Sequence, residues 1–337
     1  MAGPFYVDPD AGGGETGADW TNAWLTLQTA LDTATAGEII YCRNTETLGA
    51  PLDVDTNSGD LTSGVIKIIG CNAAGNIDGT RFVIDAASTA ANCILTDAQT
   101  HLWWENIELK GATGDNFDAT GSADYWWWVN CISHNAGASG WDLTSADRHG
   151  FIRCKSYANG NDGWEFPGFT TRFFFCVAYD NTGTGWYGNS GSGHGGHCFV
   201  GCIAHNNSDG FYNSTAENVF VNCIADSNAT IGTQTAMDYS YVLMSRITNQ
   251  AGAGDIGLDA GDELVFIGYN VFDTNTSDIA NTALRNLIPM DANTDTNEYD
   301  PDADDGYNNL GNDDFNLKAS RTYNGDGNDV ISMGIGS

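Results

Sequence analysis

Five cysteines recur along the middle of the chain at nearly one interval: Cys131, Cys154, Cys176, Cys202 and Cys223, separated by 23, 22, 26 and 21 residues. Their surroundings repeat with them, as WVNCISHN, FIRCKSYAN, FFFCVAYDN, FVGCIAHNN and FVNCIADSN. A period in the twenties marks a solenoid, in which each coil buries its apolar face only against the next coil. It also changes the meaning of the cysteines, which stand above one another in a row instead of meeting in designed pairs.

The register holds at other places. An aromatic stands three residues before each cysteine: Trp128, Phe151, Phe173, Phe199 and Phe220. A small residue stands two after it: Ser133, Ser156, Ala178, Ala204 and Ala225. Five after it come Asn159, Asn181, Asn207 and Asn228, with Asn135 one place early in the first repeat. Close behind follows Gly-Trp or Gly-Phe, at Trp141, Trp164, Trp186 and Phe211. The pattern continues outward at Trp104 with Ile107, and at Tyr241 with Met244, the cysteine being replaced.

Coils of this length suit leucine-rich repeats or parallel β-helices. No L-x-x-L-x-L skeleton is present, and the repeats consist of short β-rich segments broken by Asn, Gly, Asp and Ser. The expected fold is therefore all-β, a single-stranded right-handed parallel β-helix solenoid. Stacked about 4.8 Å apart, roughly ten coils make a rod on the order of 50 Å. Strand alternation puts each cysteine on one face with the residue two before it. Val129, Ile152, Phe174, Val200 and Val221 are all apolar, so that row is expected to face the interior. The aromatics three before the cysteine then have two dispositions. A corner turns them inward, or Trp128, Phe151, Phe173, Phe199 and Phe220 form an outer stripe that binds a sugar or a partner chain, such as two further copies in a trimer.

At the N-terminus, Leu27, Ala30, Leu31 and Ala34 follow a helical period with Gly37 as a stop, predicting a short capping helix. Three regions follow: an opening segment and cap over 1–38, coils over 39–275, and an irregular acidic closing segment over 276–337. The run FYVDPDAGGG, the W-x-N-A-W stretch and TLQTALDTATAGEIIYC resemble the opening of right-handed parallel β-helix proteins of the pectin-lyase-like superfamily. FNLKASRTYNGDGNDVISMGIG resembles that superfamily's closing segment.

The resemblance implies hydrolysis by paired surface carboxylates, or elimination by Arg or Lys beside calcium-binding acids. Candidate carboxylates are Asp142, Asp162, Glu165, Asp180 and Asp209, with Arg148, Arg153, Lys155 and Arg172 as nearby cations. Asp162 and Asp209 also stand just before the repeated Gly-aromatic, where Asp serves local turn hydrogen bonds. The polygalacturonase-type signatures are not met, so no catalytic residue carries over. Asp300, Asp302 and Asp304 alternate in a way that suits calcium, although the EF-hand spacing fails. His194, His197, Cys198, Cys202 and His205 have spacings that would admit zinc, but Cys202 belongs to the repeat row.

The net charge of −32, with only 12 Lys and Arg, disfavours nucleic acid and anionic membranes as partners. It also disfavours a polyanionic substrate unless calcium bridges it. No apolar run is long enough to span a membrane, and the N-terminus lacks the pattern of a secretion signal. Nine cysteines, an odd number, fit buried free thiols made in a reducing cytoplasm. These features lead to the expectation of a non-enzymatic structural protein of a bacteriophage particle, a capsid decoration, spike or fibre assembled in the host cytoplasm. It would contact other virion proteins or itself. The alternative is a secreted polysaccharide lyase or glycoside hydrolase, or a glycan-binding tailspike.

Overall fold

The computed structural model describes residues 4–248 except 122, 167–169, 189–194, 214–216, 236–240 and 244. Beyond them it describes the strands at 256–260, 266–268, 271–273, 277–279, 307–309 and 314–317. The chain is a right-handed parallel β-helix. Among the described residues its coils stack into sheet A with 11 strands and sheets B and C with 10 each. Trp127–Val129 in sheet A, Ile132–His134 in sheet B and Trp141–Asp142 in sheet C make one coil, and Gly150–Ile152 begins the next. Pairing within all three sheets is parallel and in register, as Trp128↔Phe151 and Trp141↔Trp164 illustrate.

One residue turns sheet A into sheet B. Asn130, Arg153, Phe175, Gly201 and Asn222 all adopt left-handed backbone, with φ between 52° and 64°. A single left-handed residue bends the strand and resets its alternation, so the residues on both sides of the expected pattern change face. This corrects the parity argument. The aromatics Trp128, Phe151, Phe173, Phe199 and Phe220 are fully buried, whereas Val129, Ile152, Phe174, Val200 and Val221 are only half-buried on the outside. The cysteines face inward as expected, and the small residues two places later are buried with them. An outer binding stripe of those five aromatics does not exist, and a trimer seam built on them falls with it.

Inside, two aromatic columns fill the coil. Phe151, Phe173, Phe199 and Phe220 stack at centroid distances of 5.2, 4.9 and 4.7 Å. From sheet C, Trp141, Trp164, Trp186 and Phe211 stack at 4.9, 5.0 and 4.6 Å. The columns meet edge to face, at 76° between Phe151 and Trp164. Each such ring contributes about 1.5–3 kcal/mol by burial alone.

A second left-handed corner turns sheet B toward sheet C, at Asn135, Ala158, Asp180, Asn206 and Ser227. The next residue forms a buried amide ladder. Asn159 Nδ2 donates to Asn181 Oδ1 at 2.9 Å, Asn181 Nδ2 to Asn207 Oδ1 at 2.9 Å, and Asn207 Nδ2 to Asn228 Oδ1 at 3.2 Å. Asn135 is not an early member of this ladder. Ala136 takes that place, its N–H donating to Asn159 Oδ1, while Asn135 is the exposed corner residue.

The expected capping helix spans Leu27–Thr33 and ends before Gly37. It covers the open end of sheet C, where Gln28 exchanges hydrogen bonds with the Asp53 backbone. Glu46, buried beneath the helix, accepts the Leu27 N–H at 2.9 Å. Phe5–Val7 pairs with Ile39–Arg43 and so already belongs to sheet A.

Candidate active site

The residue after each sheet C aromatic points outward, because strand alternation sends the aromatic in. Read across the coils, that position is Asp118, Asp142, Glu165, Tyr187 and Tyr212, all half-buried and in register. Neighbouring places in this row are one coil apart, about 4.8 Å. The structure thus brings two of the sequence candidates, Asp142 and Glu165, side by side.

A second acidic column lines the entry to the same strands. Asp115, Asp162 and Asp209 alternate with Ser139 and Thr184 from coil to coil. Each carboxylate accepts a backbone N–H from the next coil: Ser139 N to Asp115, Thr184 N to Asp162, and Ile231 N to Asp209. The expected local turn role of Asp162 and Asp209 is thus corrected: their bonds to the backbone run to the next coil and tie coils together. Placing acids only at every second coil keeps their charges about 10 Å apart.

The two columns shape one electrostatic site. Glu165 is pushed up to about 7 by burial, then by the charges of Asp142, Asp162 and Asp115, and every contribution is upward. Asp162 rises to about 6 through burial, opposed by its bonds to Thr184. Asp115 rises to about 6 for the same leading reason, opposed by Ser139. Burial also raises Asp118 and Asp209. Asp142 Oδ1 accepts the Thr144 N–H at 2.8 Å. Glu165 is thereby the group best placed to hold a proton near neutrality, with Asp142 one coil away. Tyr187 and Tyr212 extend the row as a pair of rings 5.3 Å apart.

Asp180 stands elsewhere. It lies at the sheet B to sheet C corner, accepts Asn206 Nδ2 at 2.6 Å, and borders a shallow groove of about 520 Å³ with Ala158 and Thr182. The four expected cations are not on the sheet C row: Arg148 pairs with Asp124, Arg153 is a sheet A to B corner residue, and Lys155 and Arg172 are exposed on sheets B and A. The zinc spacing does not assemble either. Cys202 faces the interior, His197 is buried with Nδ1 accepting the Thr171 N–H, and His205 is on the outside of sheet B beside Asp226. His194 lies outside the described residues, as do the calcium candidates Asp300, Asp302 and Asp304. Among the described residues no three His, Cys, Asp or Glu groups converge as metal ligands, and no helix is long and apolar enough to cross a membrane.

Sequence reasoning missed Asp115 and Asp118. The signal was available in principle, since Phe117-Asp118 occupies the repeat position of Trp141-Asp142 and Trp164-Glu165.

No protein-family profile matches the chain, and no curated protein sequence does. Among solved structures it is similar to the A-modules of two mannuronan C-5 epimerases of Azotobacter vinelandii. AlgE6 gives a TM-score of 0.54 at 13% identity, covering 75% of this chain and 91% of that one. AlgE4 gives 0.53 at 13% identity, covering 73% and 89%. ORF18 of Geobacillus virus E2 gives 0.45 at 12% identity, covering 75% and 57%. At these identities the likeness is one of fold, the right-handed parallel β-helix.

Proposed function

We propose that the chain acts on a polysaccharide laid along the outer face of sheet C and hydrolyses it. Glu165 is the general acid and Asp142 the second carboxylate. The observation that carries this reading is Glu165 itself, held near a pKa of 7 one coil from Asp142 and continued by Tyr187 and Tyr212. A proton donor needs a pKa near the working pH, and burial with like charges supplies it. Residues in register one coil apart stand about 4.8 Å from each other, close to the carboxyl separation of about 5–5.5 Å used by retaining glycosidases, so the product is expected to keep its anomeric configuration. The tyrosines offer apolar faces with polar tips to a sugar ring.

A neutral glycan is the substrate that fits. The row bears no cation, and the chain carries −32 charges, so a polyuronate would be repelled. Mannuronan, the polymer in the names of the two epimerases, is not proposed for that reason. The test is release of reducing ends from a panel of neutral and acidic polysaccharides. Glu165→Gln should abolish release and leave glycan binding within about threefold, since it keeps size and removes the proton. Release unchanged in Glu165→Gln would refute the assignment.

The second reading is a non-enzymatic component of a phage particle, and one observation favours it. The sheet A to B corner exposes a ridge in which Phe175 is 56% exposed, flanked by half-buried Phe174, Val177, Val200 and Ile203. Such a ridge suits burial against virion proteins or another copy of the chain. Under this reading the protein resides in the virion; under the first it is equally compatible with secretion. Light scattering with and without calcium, together with no hydrolysis on the panel, would favour the particle role.

A further inference from the structure

Five thiols form one column inside the sheet A to B corner. Cys131, Cys154, Cys176, Cys202 and Cys223 are all buried and unbridged. Backbone bonds of 2.8–3.0 Å, from Lys155 N to Cys131 O through Ile224 N to Cys202 O, hold the five in register. In register, neighbouring cysteines stand one coil apart, about 4.8 Å, on the same inner face. Ile107 occupies the same place in the preceding coil, so the column has a definite start.

The spacing has a chemical meaning. With the zinc–thiolate length of about 2.3 Å as a yardstick, two metal–sulfur bonds set in line span about 4.6 Å. In-register strands are about 4.7–4.9 Å apart. Linear two-coordination by sulfur is the preference of soft closed-shell ions, and thiolates select soft metals over hard ones. An ion of this kind needs no third ligand, and none converges here among the described residues. We propose that the column is a site for soft two-coordinate ions of the Cu(I), Ag(I) or Hg(II) type, each held between cysteines of adjacent coils.

One sulfur serves one ion. Ions on both sides of a sulfur in a straight column would need a straight metal–sulfur–metal angle, which the bent bonding of sulfur disfavours. Five thiols therefore hold two ions, with one thiol left over. The balance is simple. Ag(I) displaces one thiol proton to solvent and bonds both sulfurs, the second keeping its proton, so the buried unit stays neutral. Hg(II) displaces both protons with the same result. No atom is oxidised or reduced. Because the column is enclosed, loading takes place during folding.

The test is to refold the full chain from urea with Ag(I), remove loosely held metal with a competing thiol, and count bound ions by native mass spectrometry. Cys176→Ala should keep both column ions, because the pairs Cys131/Cys154 and Cys202/Cys223 survive. Cys154→Ala and Cys202→Ala should each lose one ion, because each leaves a single thiol and a run of three. Circular dichroism checks the fold, and the two single-loss variants are independent of each other. An equal count in all chains would place the silver on Cys42, Cys71, Cys93 or Cys198 and overturn the proposal. So would equal loss from all three variants, or no bound silver at all.

Discussion

Replacing Asn181 by Ala tests how far the amide ladder holds the coils together. The side chain makes four hydrogen bonds. Its Oδ1 accepts from Asn159 Nδ2 at 2.9 Å and from Asn159 N at 3.2 Å, and its Nδ2 donates to Asn207 Oδ1 at 2.9 Å and Ser156 O at 3.2 Å. Some partners keep a second contact after truncation. Asn159 Nδ2 retains Ser156 Oγ, and Asn207 Oδ1 retains the Asn181 backbone N–H. The buried Asn159 N–H does not, and an orphaned buried donor costs about 1–3 kcal/mol. Adding the lost net contribution of the other bonds, about 0.5–1.5 kcal/mol each with partial compensation, gives a total of about 3–5 kcal/mol. Asn206, the exposed corner residue next door, is the control. It makes one side-chain bond, to Asp180, and holds a left-handed φ of 52°, so its change to Ala should cost about 1–2 kcal/mol, well below the ladder variant. Chemical denaturation followed by far-UV circular dichroism reads both. A loss below about 1 kcal/mol for Asn181→Ala, or one no larger than the control, would refute the ladder as a principal fastening.

Other consequences follow from the same structure. Trp164→Ala removes a ring stacked between Trp141 and Trp186 and should cost about 3–5 kcal/mol in the same assay. Glu46 is raised from 4.5 to about 7 by burial, opposed by its bond from Leu27 N, so its contribution is present at acid pH and is lost as pH rises from about 4.5 through 7. At pH 8 that amounts to roughly 3 kcal/mol, so Glu46→Gln should raise the Tm at pH 8 and leave it nearly unchanged at pH 4. Buried His149, held down to about 4 by burial, acts the other way: its contribution is lost as pH falls from 6.5 through 4. His149→Gln should therefore lessen the acid-side fall in Tm.

The solenoid was legible because its repeat is dense: cysteine, aromatic, small residue and asparagine recur at fixed places. What was not legible was the facing of the strands. Asn130, Arg153, Phe175, Gly201 and Asn222 share a left-handed conformation but no residue type, so nothing in the letters marks that corner. Only Asn and Gly among them suggest it. The corner was one of two dispositions open for the aromatics and is the one found, but without its place in the chain Val129, Ile152, Phe174, Val200 and Val221 were put in the core. The site was half legible for a related reason. Asp142 and Glu165 could be picked out singly as acids near a turn, but their alignment depends on which residue follows the inward ring in each coil. The tyrosines of that row, Tyr187 and Tyr212, carry no acid signal and were passed over.

The pH dependence of glycan hydrolysis tests the central claim most directly. Rates of reducing-end release from a neutral polysaccharide, measured from pH 4 to pH 9, should fall on the alkaline side through about 7 as Glu165 loses its proton. Asp162→Asn removes a charge that raises Glu165, and so should move that limb toward lower pH. A rate that rises through pH 7, a limb unmoved by Asp162→Asn, or no release from any glycan at any pH would contradict a carboxyl-based catalytic face on sheet C.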